Sequence, residues 1–159
     1  MPTMKVLVTS DTHGNYPLLF RACEISNPFD AVIHLGDGDD DAGLVARILG
    51  ITVISLAGNC DFGSRSPREQ IWECEGQRLL LTHGDHYGVK NGLSRLEQRG
   101  IELAVQAVLF GHSHLATITT LSGILFVNPG TLIQTAGQKT VALLEINRTG
   151  ITAILNEIA

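Results

Sequence analysis

Apolar positions in the first third of the chain come in short unbroken runs, each stopped by a polar turn. Residues 5–10 (Lys-Val-Leu-Val-Thr-Ser) lead into Asp11-Thr12-His13-Gly14, residues 31–35 into Gly36-Asp37, and residues 51–57 into Gly58-Asn59-Cys60-Asp61. Runs of this length, rich in β-branched side chains, predict strands buried on both faces. Helical patterns over 16–25 and 41–49 fall between them, and strand-helix alternation implies a parallel sheet.

The pattern then changes. Residues 69–74 and 78–81 flank Glu75-Gly76 and predict a hairpin, the second strand running into Thr82-His83-Gly84. A helix over 91–98 should close at Arg99-Gly100, and 107–110 reads as a strand ending at Gly111-His112-Ser113-His114. Short strands over 117–121, 124–127, 140–146 and 152–155 read as an antiparallel meander. A parallel sheet and an antiparallel one must share apolar faces, so the expected fold is α/β (α+β): a two-sheet β-sandwich flanked by helices.

Composition narrows the picture. At 159 residues the chain fits one domain over 1–159, and with 44% hydrophobic and 17% charged residues it can bury a substantial core. No apolar run approaches the roughly 20 residues that span a bilayer, and no basic-then-apolar leader opens the chain, so a cytoplasmic protein without membrane attachment is expected. Cys23, Cys60 and Cys74 are an odd set at unrelated spacings and read as reduced thiols. The net charge of −5 argues against a nucleic-acid polymer as partner. An anionic small molecule would need local positive charge, which metal ions can supply.

The chemistry lies at the strand ends. Asp11 with His13, Asp37, Asn59, His83, and His112 with His114 each follow a predicted strand and lie next to or near a glycine. In open α/β sheets such ends converge on one site. Carboxylates, imidazoles and an amide oxygen form a hard-to-borderline ligand set. Residues two apart in extended chain point the same way. Seven donors exceed what one ion takes, so two divalent ions are expected, with Asp37 between them. Manganese is the first expectation, with iron, zinc, nickel, cobalt or magnesium also accommodated. Turn chemistry explains Gly, Asp and Asn at strand ends, but not why four of the six histidines fall there.

The ordered set Asp11-x-His13, Gly36-Asp37, Gly58-Asn59-x-Asp61, His83 and Gly111-His112-x-His114 resembles the calcineurin-like metallophosphoesterases, and specifically the small single-domain prokaryotic phosphodiesterases of the YfcE type. The resemblance implies a four-layer αββα fold. It also implies one ion on Asp11, His13, Asp37 and His114, a second on Asp37, Asn59, His83 and His112, and hydrolysis of a small phosphodiester by a hydroxide shared between the ions. Asn59, Cys60, Asp61 and His83 are the candidates for catalytic contributions beyond plain ligation. One departure stands out: Cys60 occupies the place of a histidine that assists the leaving group in the larger superfamily. Cysteine is a weaker hydrogen-bond donor, which places monoester hydrolysis in doubt.

Other residues have plainer readings. His34, inside its strand, reads as a hydrogen-bonded core group or a support for the ligands, His86 as a loop residue before a substitute for the missing acid, and Arg65, Arg68 and Lys90 as solvated loop cations before grips for a phosphate. Asp61 reads equally as a turn residue or as a carboxylate supporting Asn59. The competing functions are a non-catalytic protein-binding scaffold of the same fold, as in the retromer subunit, and a phosphomonoesterase or nuclease. A homo-oligomer, dimer or tetramer, is allowed by an exposed edge strand near the C-terminus.

Overall fold

The computed structural model describes residues 1–159, which form ten strands and three α-helices. β1 (Met4–Thr9), α1 (Tyr16–Ser26), β2 (Ala31–His34), α2 (Asp39–Leu49) and β3 (Val53–Ser55) make the predicted alternation. β1, β2 and β3 pair in parallel. β3 is shorter than its apolar run because Ala57 N–H leaves the sheet to donate to the Pro67 carbonyl. β4 (Glu69–Cys74) and β5 (Gln77–Thr82) form the expected hairpin, and Glu75 and Gly76 at its tip both have positive φ, as tight hairpin turns require. α3 (Ser94–Glu102), β6 (Ala107–Leu109), β7 (Thr117–Leu121), β8 (Ile124–Asn128), β9 (Thr140–Asn147) and β10 (Gly150–Glu157) complete the chain.

Two expectations are corrected. The C-terminal strands are not one meander. β7 and β8 pair with each other, and β8 runs parallel to β6, giving a sheet ordered β4-β5-β6-β8-β7. β9 and β10 cross to the other sheet, ordered β10-β9-β1-β2-β3, with β9 antiparallel to β1. The segment between β8 and β9 makes that crossing, where Thr140 Oγ1 donates to the Pro129 carbonyl. An apolar strand looks the same in sequence whichever sheet it joins.

The helix expected over 91–98 instead runs Ser94–Glu102, through Gly100, and a 3-10 turn occupies Val89–Asn91. A Cβ at Gly100 would lie 3.3 Å from both Ile124 Cδ1 and Val108 Cγ2. The residue is glycine so that α3 can approach its sheet, not to end the helix.

The layers follow from which side chains each strand sends where. Val6, Val8, Ile33, Leu35 and Leu144 of the first sheet meet Leu79, Leu81, Leu109 and Val127 of the second in a buried core. Leu7, Val32 and Val141 point the other way, onto Leu19, Cys23 and Val45 of α1 and α2. Leu80, Val108 and Phe126 pack against Leu96 of α3. The order is helix, sheet, sheet, helix. Both faces of β1, β2, β5 and β6 are covered, which is why each has consecutive apolar residues at its centre and not an alternating pattern. No helix is long and apolar enough to cross a membrane.

Candidate metal centre

The loops that follow β1, β2, β3, β5 and β6 carry the polar residues singled out in the sequence, and five of those residues have left-handed backbones. Asp11, His13, Asp37, His112 and His114 have φ of 55°, 45°, 58°, 68° and 63°, among eight non-glycine residues with positive φ. Such conformations carry strain and persist where surrounding structure enforces them. The enforcing bonds run from loop to loop. Asp11 N–H donates to the Gly36 carbonyl, His13 N–H to the Asp37 carbonyl and Gly111 N–H to the His83 carbonyl. Thr131 Oγ1 donates to the Asp11 carbonyl.

The side chains meet. His114 Nε2 lies 3.1 Å from Asp11 Oδ1, and His13 Nε2 lies 3.6 Å from both Asp11 Oδ1 and Asp37 Oδ2. His83 Nε2 lies 3.2 Å from Asp37 Oδ2 and 4.0 Å from Asp11 Oδ1, while His112 Nδ1 is 3.2 Å from His83 Nε2. Two of the donor groups compact enough to hold an ion are Asp11, His13 and His114, and Asp37, His83 and His112; a third comprises His13, Asp37 and Cys60. Asn59 is exposed at the same rim, its Nδ2 donating to Cys60 Sγ at 3.6 Å.

Each carboxylate has one oxygen tied back and one presented. Asp11 Oδ2 accepts from Ser10 Oγ and from His112 N–H, leaving Oδ1 to the imidazoles. Asp37 Oδ1 accepts Cys60 N–H at 2.8 Å, leaving Oδ2 to His13 and His83. His83 is oriented through Nδ1, 2.9 Å from the Leu35 carbonyl, so Nδ1 carries a proton and donates. In the neutral ring the lone pair on Nε2 then faces two carboxylates. Acceptor against acceptor calls for a cation or an extra proton.

The ionisation equilibria express the same demand. Burial works against charge on Asp11, yet His114 and His13 hold its carboxyl well below the usual range. Burial also opposes charge on Asp37, but contacts with His83 and with Cys60 N–H keep it low. The Asp11 hydrogen bond raises His13, and Asp37 and Asp11 raise His83 against its burial. His112 is lowered, by burial and by His83. Burial and the neighbouring Asp37 push the Cys60 thiol up, so it is protonated in the bare protein.

Asp61 lies beneath the loop that carries Asp37. Its Oδ1 accepts N–H from Gly38 and Asp39, at 3.0 and 3.1 Å, and its Oδ2 accepts from Asp37 and Gly58, both at 2.8 Å. It thereby caps α2, which has no capping side chain of its own. His34 is likewise a brace. Gly36 N–H donates to its Nδ1, and Nε2–H reaches Thr12 Oγ1, which donates to Asp41 Oδ2 at 2.6 Å. Thr12, Asp41 and Ser10 were not singled out in the sequence; only their position beside the motifs could have flagged them. His86 is exposed beside Asp85, and Arg68 Nη1 reaches the Gly58 carbonyl at 3.3 Å.

Gly58 shows how tightly the loops fit. A Cβ there would fall 2.5 Å from Asp37 N and also onto Asp37 Oδ1. Backbone cannot yield as a flexible side chain can, so Gly58→Ala should destabilise by about 3 kcal/mol, the upper end of overpacking effects. Urea denaturation of wild type and variant measures it; an unchanged midpoint would contradict the geometry.

Residues 4–149 match the calcineurin-like phosphoesterase superfamily domain. Among curated proteins, the chain is 34% identical over 131 residues to the probable metallophosphoesterase YsnB of Bacillus subtilis, covering 81% of this chain and 75% of that protein. It is 30% identical over 154 residues to the phosphodiesterase YfcE of Escherichia coli, covering 81% and 79%. Among solved structures, wild-type Vps29 of Entamoeba histolytica in complex with zinc superposes with a TM-score of 0.78 at 20% identity, covering 97% of this chain and 99% of that one.

Proposed function

Because the chain belongs to the calcineurin-like phosphoesterase superfamily, we propose that it is a metal-dependent phosphodiesterase, acting as a single domain over residues 1–159 on a small phosphodiester. The observation that carries this reading is the pair of donor triads, with His13 Nε2 equidistant from Asp11 and Asp37 and His83 Nε2 turned to Asp37. Asp11, His13, Asp37 and His114 would hold one divalent ion, and Asp37, Asn59, His83 and His112 the other. The acceptor-rich, proton-demanding arrangement of these side chains fits such ions. Bound there, the ions would acidify water near neutral pH and neutralise charge on phosphoryl oxygens.

The chain's own part is positioning. The Leu35 carbonyl fixes the His83 ring, Ser10 and His112 N–H fix Asp11, and Cys60 N–H fixes Asp37. Preset donors need no reorganisation during reaction. Asp61 acts by holding the loop of Asp37 and not by carrying a proton. With a thiol at position 60, no strong acid assists the leaving group there, which favours diesters whose leaving groups depart without protonation. Metallophosphoesterase and phosphodiesterase relatives support the reaction class. The fold is also that of Vps29, so a scaffold is the reading to be tested against.

The test is a panel. Full-length protein stripped of metal and resupplied with manganese, zinc, cobalt or magnesium should cleave bis-p-nitrophenyl phosphate faster than p-nitrophenyl phosphate. Metal uptake with no turnover of any ester would support the scaffold, and preference for the monoester would overturn the diesterase reading.

A further inference from the structure

The third donor group joins His13 and Asp37 to a thiol that the ligand scheme above leaves unused. Cys60 Sγ, a His13 ring nitrogen and an Asp37 carboxylate oxygen all lie within 4.8 Å of one another. Around one ion, bonds of about 2.3 Å to sulfur and about 2.0–2.2 Å to nitrogen or oxygen keep ligand atoms within roughly 4.5 Å of each other. The three atoms therefore reach a common ion with little movement.

The backbone holds the thiol there. Cys60 N–H donates to Asp37 Oδ1 at 2.8 Å, and the next residue, Asp61, is bound to four backbone amides. Asn59 Nδ2 donates to Sγ at 3.6 Å, the kind of outer contact that supports a ligating atom. Cys60 is exposed, whereas Cys23 and Cys74 are buried.

We propose that Cys60 Sγ is a further ligand of the ion held by Asp11, His13, Asp37 and His114, and that it biases the centre toward thiophilic divalent ions of the zinc, cobalt and cadmium kind over manganese and magnesium. This rests on the reading that the site holds divalent metal. On binding, the S–H bond breaks, its proton passes to solvent, and the sulfur lone pair forms the bond to the ion. A soft donor in an otherwise hard-to-borderline set shifts preference toward softer ions. It also removes the thiol from any role as leaving-group acid.

Cobalt(II) added to the metal-free, full-length protein tests this by absorption spectroscopy. Wild type should show a sulfur-to-cobalt charge-transfer band that grows with bound cobalt, and Cys60→Ser should bind cobalt without it. In equilibrium dialysis against zinc and manganese together, Cys60→Ser should lose at least about tenfold of the zinc preference, since losing a ligand costs no less than losing the outer partner of one. Bound cobalt without a sulfur band in wild type, or an unchanged band or zinc preference in Cys60→Ser, overturns the proposal and leaves the phosphodiesterase reading intact. A wild-type protein that binds no divalent ion overturns both.

Discussion

Asp37→Asn should lower kcat/KM for bis-p-nitrophenyl phosphate by at least about a thousandfold, about 4 kcal/mol of lost transition-state stabilisation. Asparagine keeps an oxygen that can accept Cys60 N–H, the bond that Oδ1 makes now, so the loop should remain in place. What it removes is the negative charge at Oδ2, where His13 and His83 meet at 3.6 and 3.2 Å. If Asp37 is shared by two ions, the variant should also bind fewer ions per chain by elemental analysis, with its circular dichroism unchanged. Wild-type turnover in this variant would remove Asp37 from the centre of the chemistry. Full metal content with turnover lost would instead place its role after binding.

The strand ends that carry these residues are legible in the sequence, and the reason is local. A buried strand is an unbroken apolar run, so the point where it ends is marked by the first charged or glycine residue. Asp11, Asp37, His83 and His112 stand at such points. What the sequence could not convey was contact between segments far apart. Nothing in residues 140–157 tells which sheet they join, because the unbroken apolar run over 141–144 suits an inner strand of either sheet. Gly100 looked like a helix terminator, since a glycine at the end of an apolar pattern is usually one; only the closeness of Val108 and Ile124 explains it. The His34, Thr12 and Asp41 chain was invisible for the same reason. Its members are 22 and 29 residues apart, and each alone has a bland reading.

Asp61 is the sharpest instance, because its sequence context fits a turn residue and a supporting carboxylate equally, and only its hydrogen bonds show what it holds. Both oxygens are taken up by backbone amides of Asp37, Gly38, Asp39 and Gly58. Asp61→Ala should therefore leave these donors, including those that open α2, without their acceptor. Hydrogen bonds to a charged group contribute about 1.5–3 kcal/mol each, but Asp61 is partly exposed and water will replace some of them. A net loss of about 3 kcal/mol is expected, a fall in Tm of roughly 6–12 °C for a chain of this size. Activity should fall about 10–100-fold as Asp37 loses its support.

Asparagine makes the decisive variant at this position. Each Asp61 oxygen serves a pair of N–H groups, so the amide of Asp61→Asn satisfies one pair and turns its own NH2 against the other. Water can enter beside alanine, but that NH2 cannot be displaced without moving the loop. Asp61→Asn should thus be at least as destabilising as Asp61→Ala, with the same loss of activity and no change in the shape of the pH–rate profile. A proton-carrying Asp61 would show itself in the profile: one limb would disappear in both variants, whatever their Tm.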